Sequence, residues 1–302
     1  MGIMVNAGLT TAASVRCRPI EDGDARAIVA LLARGFAPRR TPQFWQEVIS
    51  RLARRTVPAD APRYGYLLES NGAPVGALLQ IFSDTPASND GSSDTPALRC
   101  SLSSWYVEPQ FRSYAPLLAR YAKKRKNVTY LNTSAAPHTR PIIEAQGYVR
   151  FSNGVFVALP LLSGAPDMPA LVLPGSARPR AVFEDRDSEL LEEHATFGCM
   201  SVWCETAERA YPFVFRPRVI KRFLRCAQLI YCGDIADLVR FARPLGRHLA
   251  RRGWPLVVLD ANGPVDGLLG RYFDGIMPKY FKGPSPPRLG DLAYTEAAMF
   301  GM

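Results

Sequence analysis

Residues 98–148, LRCSLSSWYVEPQFRSYAPLLARYAKKRKNVTYLNTSAAPHTRPIIEAQGY, constrain the fold of this chain more than any other stretch. They read as a strand, a tight turn, a basic helix, a second strand and a short helix ending at Gly147-Tyr148. A strand that delivers the chain through a turn to a helix N-terminus builds an anion site. The first backbone N–H groups of the helix have no internal partner, and the helix dipole favours negative charge there. The turn carries Arg112, and Pro116 stands where a helix is expected to start, its missing N–H being no loss in a first turn.

The residues before this stretch supply a matching set of elements. Residues 14–37 give a short strand, an acidic helix start and an amphipathic helix with Ile28, Leu31, Leu32 and Phe36 at helical spacing. A second helix over residues 42–55 places Phe44, Val48, Ile49 and Leu52 on one face, with Arg51, Arg54 and Arg55 largely off it. Residues 64–82 form two apolar runs around Asn71-Gly72, a strong hairpin dipeptide. Residues 83–96, SDTPASNDGSSDTP, cannot bury apolar surface and are expected to form a surface loop. Residues 151–159 read as the strand that closes this first half.

The element order and the turn residues resemble the GNAT acyltransferase superfamily, whose core motif runs V-x-P-x-x-R-G-x-G-x-G/A. Val107, Pro109 and Arg112 fit it, whereas Ser113, Ala115 and Leu117 occupy the glycine positions. Gly76 matches the family's second hairpin strand and Gly147-Tyr148 its final motif, in which Ile143 stands where a general-acid Tyr is often found. The resemblance implies an α/β fold with a mixed sheet and an acyl-coenzyme A co-substrate. Val107, Arg112, Ser113, Tyr114, Ala115 and Leu117 are then the cofactor contacts, with backbone N–H groups around Ser113 to Leu117 cradling the pyrophosphate. Asn132, at the end of the next strand, joins them.

The chemistry implied by the resemblance is direct attack of an amine on a thioester, which needs a base and donors for the carbonyl oxygen. In the family the thioester enters between the fourth and fifth strands, where a bulge frees backbone groups. By position these strands are residues 99–107 and 128–132. Glu108 and His138 are the catalytic candidates, each a possible base; the plain readings are a solvated loop carboxylate and an exposed loop imidazole. Trp105 and Tyr106 alternate across the strand, so one faces the core and the other the cleft.

The second half echoes the first. A displacement of 128 residues aligns Arg112 with Arg240, Pro116 with Pro244, Leu117 with Leu245, Ala122 with Ala250, Leu131 with Leu259 and Gly147 with Gly275. The expectation is two GNAT-like domains in tandem, the second more degenerate: residues 1–160 and 178–302, joined by a Pro-rich linker over 161–177. In the second copy, residues 227–232 are the strand, 237–252 the basic helix and 256–260 the next strand, and the tail supplies a loop and a closing strand. Asp234 and Asp237 before Arg240 oppose anion binding, so this copy is expected to be structural or substrate-facing.

Composition narrows the partners. A chain of 302 residues that is 47% hydrophobic is long enough for two domains, and no apolar run approaches the roughly 20 residues that span a bilayer. No basic segment opens the chain, so no cleaved signal and no membrane partner are expected, and Asn6 stands where a myristoylation signal wants Ser or Thr. The six cysteines form no Cys-x-x-Cys pair, which fits buried thiols of a cytoplasmic protein without a metal; a site from Cys199, Cys204 and His194 is the weaker alternative.

The net charge of +10 favours an anionic partner, and coenzyme A, nucleic acid and an acidic membrane surface all match its sign. The basic stripes Arg120, Lys123, Lys124, Arg125, Lys126 and Arg243, Arg247, Arg251, Arg252 read as solvated helix faces. Three functions follow: an acyl-coenzyme A-dependent N-acyltransferase, a non-catalytic GNAT-like binding or scaffold protein, or an aminoacyl-tRNA-dependent transferase of Fem type. The amine acceptor and the acyl chain length stay open.

Overall fold

The structure, a computed structural model, describes residues 14–58, 60–85, 97–164, 168–220 and 223–301. The chain divides into two compact units. The first takes the chain to Ala53, then Pro62–Gln80 and Ser104–Lys124; the second takes Arg54–Ala61, Ile81–Ser103 and everything from Arg125.

The first unit holds β1 (Val15–Pro19), α1 (Ala25–Gly35), α2 (Pro42–Arg54), β2 (Gly65–Ser70), the start of β3 (Ala73–Thr85), the end of β4 (Ala97–Val107) and α3 (Ala115–Ala122), with strand order β1-β2-β3-β4. The expected hairpin forms, with Asn71 at φ +51° and Gly72 at φ +78°, the two positive values that a tight two-residue turn requires. Helix α1 buries Ile28, Val29, Leu31 and Leu32, and Phe36 caps its end. Helix α2 corrects the sequence reading. Trp45, not Phe44, joins Val48, Ile49 and Leu52 inside, because 45, 48, 49 and 52 complete the i, i+3, i+4, i+7 stripe. Phe44 packs edge-on against Trp45 from outside, its ring covered by the Arg40 guanidinium.

The second unit holds the rest of β3 and β4, then β5 (Val128–Asn132), α4 (Arg140–Ala145), β6 (Val149–Ala158), β7 (Leu171–Pro174), α5 (Asp185–Thr196), β8 (Met200–Glu205) and β9 (Ala210–Ile220). It continues with β10 (Leu224–Cys232), α6 (Ile235–Arg240), α7 (Ala242–Arg251), β11 (Leu256–Ala261), β12 (Gly270–Lys282) and α8 (Glu296–Phe300). Its strand order is β4-β5-β12-β6-β11-β10-β9-β8-β7. The sheet is mixed: β4 and β5 run parallel, as do β10 and β11, and the other registered pairs are antiparallel.

Two features of this unit bear on the repeat expected from the sequence. The parallel pair β4–β5 has register Leu98↔Val128 to Cys100↔Tyr130, and β10–β11 has Cys226↔Leu256 to Gln228↔Val258, the same pairs displaced by 128 residues in both strands. Second, β12 enters between β5 and β6, with Tyr280 opposite Asn132 and Tyr272 opposite Phe156. The approach is close at Gly154, where an added Cβ would lie 2.2 Å from the Phe273 carbonyl oxygen, so no side chain fits.

Several boundaries differ from expectation. The basic helix expected over 237–252 is broken at Phe241 (φ −101°, ψ 18°), whose fully buried ring packs between Tyr211 and Phe213. The closing strand begins at Gly270, ahead of the predicted tail, and the tail itself ends in helix α8. Strand β7 lies within residues 161–177 and pairs with β8. Ser83, Asp84 and Thr85 finish β3, and the remainder of the expected loop, 86–96, lies outside the described residues.

Apolar residues cover both sheet faces of this unit. Phe213, Phe215, Phe241, Leu245, Leu249, Val257 and Leu259 form one core under α6 and α7. Leu191, Trp203, Val214, Ile230, Leu292 and Ala297 form another with α5 and α8. Each such side chain contributes roughly 1.5–3 kcal/mol when fully buried.

Candidate functional site

In β4 the backbone turns over at Ser104, a buried residue held at φ +54°. A left-handed conformation costs a non-glycine residue about 1–2 kcal/mol and in a strand marks a bulge. The registered pairing of β4 with β5 ends before it, at Ser101↔Leu131. Beyond the bulge the alternation left open by the sequence is resolved. Tyr106 turns inward, its ring against Gly35 and 6.3 Å from that of Phe36, while Trp105 is 40% exposed.

Val107 is buried beside Gly76. The Glu108 N–H donates to the Val75 carbonyl at 2.9 Å, prolonging the β3–β4 pairing by one residue. Its carboxylate accepts from Arg34 Nη2 at 2.8 Å on Oε1 and from Gln110 Nε2 at 3.0 Å on Oε2.

The expected tight turn is a 3₁₀ helix over Pro109–Tyr114 that runs directly into α3. With no glycine available to adopt positive φ, residues 110 to 115 coil instead of folding into an open loop. One N–H of the expected cradle, that of Ala115, therefore donates to the Arg112 carbonyl. Tyr114 caps α3 without a side-chain hydrogen bond. Arg112, Ser113 and Tyr114 are exposed, Ala115 and Leu117 are half-buried, and Arg112 has no ion-pair partner among the described residues.

The second unit contributes a buried polar network. Glu296, the first residue of α8, is 1% exposed. Its Oε2 accepts from Ser103 Oγ at 2.6 Å and its Oε1 from Thr133 Oγ1 at 3.3 Å, with the Ser134 hydroxyl a further donor. Burial pushes its carboxyl above the usual range, and these hydroxyls and the Lys279 charge oppose the shift. Ser103 belongs to β4 and Thr133 follows β5, so one carboxylate joins the two strands past the end of their pairing. Next to it Lys279 Nζ meets Asp260 Oδ1 at 2.5 Å, both groups almost fully buried.

A cavity of about 590 Å³ opens in the same unit, with Arg55, Arg99, Asp187, Tyr231, Asp291 and Tyr294 among its walls. Arg99 donates to both Asp291 oxygens at 3.0 and 3.3 Å and to the Ala293 carbonyl at 2.6 Å, all buried.

No protein-family model matches the sequence, and no curated protein matches it. Solved structures do. A protein from Pyrococcus horikoshii assigned to the acetyltransferases superposes with a TM-score of 0.54 at 11% identity, over 93% of each chain. Eis1 from Mycobacterium abscessus gives 0.50 at 12% identity, over 92% of this chain and 74% of that one. The GCN5-related glucosamine N-acetyltransferase region of a fungal multi-domain β-N-acetylglucosaminidase gives 0.51 at 10% identity, over 90% of this chain and 38% of that one. The chain has the GNAT fold.

Within the GNAT fold the residues named from the sequence fall into two groups. Val107, Glu108, Arg112, Ser113, Tyr114, Ala115 and Leu117 lie in one continuous stretch of the first unit. Asn132 and His138 belong to the second: Asn132 ends β5, half-buried and paired with Tyr280, and His138 is exposed in a short turn over Pro137–Thr139. Ile143, which the sequence resemblance sets against a general-acid Tyr, is buried with Phe82, Cys100 and Tyr280.

Glu296, Lys279 and Asp260 were not anticipated. A signal existed: Glu296 is the one charged residue in LAYTEAAMF, and Lys279 the one in IMPKYF. Among the described residues no group of three or more His, Cys, Asp or Glu is placed to hold a metal ion, and no helix is long and apolar enough to cross a membrane.

Proposed function

We propose that the protein is an acyl-coenzyme A-dependent N-acyltransferase, moving an acetyl or longer acyl group to an amine. The observation that carries this reading is the left-handed Ser104 in β4, immediately before the Val107-x-Pro109-x-x-Arg112 turn of a GNAT fold. A left-handed residue there interrupts the regular alternation of the strand at the point where, by the resemblance, the thioester and its pantetheine arm enter.

The turn residues fit the co-substrate. Arg112 is exposed and free of ion pairs among the described residues, suited to a bidentate contact with a phosphate, and the N-terminus of α3 has no side-chain cap competing for an anion. When bound, acyl-coenzyme A supplies the activated acyl group. The amine nitrogen attacks the thioester carbonyl carbon, the C–S bond breaks, and the proton lost from nitrogen passes to a base. Glu108 takes it through water: Arg34 and Gln110 engage one lone pair on each oxygen and leave others open. His138 is the second base candidate, and Asn132 a cofactor contact. Glu296 is a positioning residue that ties β4 to the end of β5 past their backbone pairing.

The second half, residues 178–302, is read as a degenerate copy of the first, 1–160, on the strength of the 128-residue displacement shared by the two parallel strand pairs. A coenzyme A-binding module without turnover is the alternative. It is favoured by Leu117 at a glycine position, by the Ala115 N–H already engaged, and by Ile143 buried where an acid would stand. Calorimetric titration with acetyl-coenzyme A and longer acyl-coenzyme A species, followed by turnover against an amine panel, separates the two. Saturable binding with transfer supports the enzyme, binding without transfer the module, and folded protein that binds none of them removes both.

A further inference from the structure

The cavity of the second unit is acidic in a chain that carries a net charge of +10. Five carboxylates and three guanidinium groups line it. All three guanidinium groups already have partners. Arg99 is held by Asp291 and Arg55 by Glu193 at 3.3 Å, while Arg186 turns to Glu184, outside the lining, at 2.6 Å. Asp84, Asp187 and Glu189 remain, with no ion-pair partner among the described residues.

Their placement is graded. Asp187 is 7% exposed, and its carboxylate accepts a long 3.4 Å hydrogen bond from Tyr231. Glu189 and Asp84 are exposed at the cavity's outer part. Burial, helped by the Glu184 charge, pushes the Asp187 carboxyl above its usual range, so a cation brought beside it would restore the ionised form. Ser83, 5% exposed, also lines the cavity, and its Oγ has no hydrogen-bond partner among the described residues. A native interior satisfies such groups, and a ligand is one way it does so.

We propose that this cavity binds a small organic polycation with at least two ammonium groups, one held by Asp187 and another by Glu189 and Asp84. That this molecule is the acyl acceptor rests on the acyltransferase reading; that it binds does not.

The test is calorimetric titration of the full chain, without coenzyme A, using spermidine, with 1-aminopentane as a single-charge control and glutarate as a dianion. Spermidine is expected to bind more tightly than 1-aminopentane by at least tenfold, with an affinity that weakens as salt rises, and glutarate not to bind. Asp187→Asn and Glu189→Gln are each expected to weaken spermidine binding, the first by tenfold or more, with melting temperatures confirming folded protein. If Asp187→Asn fails to fold, the exposed Glu189→Gln and an Asp84→Asn variant carry the same comparison. No spermidine binding, equal binding of glutarate, or unchanged affinity in the folded variants overturns the cavity proposal. Spermidine that binds but accepts no acyl group from acetyl-coenzyme A leaves the cavity standing and removes its assignment as the acceptor site.

Discussion

Ser103 Oγ donates a 2.6 Å hydrogen bond to Glu296, and the opposite oxygen of that carboxylate accepts from Thr133. A helix of five residues thus supplies the polar link between β4 and β5 where their backbone pairing has ended. Removing the carboxylate leaves two hydroxyls, each at a buried residue, without this partner, at about 1–3 kcal/mol each. Glu296→Ala is expected to lose roughly that much in urea denaturation, and Glu296→Gln to lose less. The pH dependence has a definite sign. Because burial raises the folded-state pKa above the ordinary 4.5, folded protein holds this proton more tightly than unfolded protein. The stability it contributes is present below 4.5 and declines as pH rises through the folded value. Glu296→Gln should remove that decline, and an unchanged slope would refute the assignment.

His194 behaves in the opposite direction. It is fully buried, with Nδ1 2.8 Å from the Leu190 carbonyl and Nε2 accepting the Tyr294 N–H at 3.2 Å, so the neutral ring with hydrogen on Nδ1 is satisfied on both sides. Burial pushes its pKa from 6.5 down to about 4, against the carboxylates of Glu193 and Asp291 and with the charge of Arg55. Stability is therefore complete above 6.5 and falls as the pH drops towards 4, by about 3 kcal/mol in all. Thermal melts of wild type and His194→Gln across this range should show a flatter acid slope in the variant, whatever its stability at neutral pH.

The Lys279–Asp260 pair sets a third expectation. Both side chains are at most 5% exposed, so Lys279→Met strands a buried carboxylate and is expected to cost about 3–5 kcal/mol. Asp260→Leu in the same chain should recover much of that loss. Chemical denaturation of the single and double variants measures the coupling, and additive losses would contradict it.

Local signals in the sequence were strong wherever one residue type dictated geometry. Asn71-Gly72 specified its hairpin through two positive φ values, and the parallel β4–β5 unit was legible from its turn and basic helix. The echo at 128 residues was legible too, and the strand registers share it. What escaped depended on tertiary context. Trp45 displaced Phe44 because a one-residue rotation of the helix fills the core with the larger ring. Strands β8 and β9 went unread because their faces are buried together, as at Phe213, Val214 and Phe215, and show no alternation. Glu296 takes its hydroxyl donors from Ser103 and Thr133, both more than 160 positions away.

Leu117 tests the proposed cofactor loop. On the acyl-coenzyme A reading it stands where a glycine would let the backbone approach a phosphate. Leu117→Gly is expected to tighten acetyl-coenzyme A binding by severalfold at a cost of about 1 kcal/mol to the first turn of α3, read by calorimetry and thermal melting.

If Arg112 and the N-terminus of α3 hold an acyl-coenzyme A whose acyl group passes to an amine, wild type titrated with acetyl-coenzyme A binds it saturably. Thiol is then released only in the presence of an amine, and Arg112→Ala loses at least tenfold in affinity. Folded wild-type protein that binds no acyl-coenzyme A, or binding indifferent to Arg112, would contradict this reading.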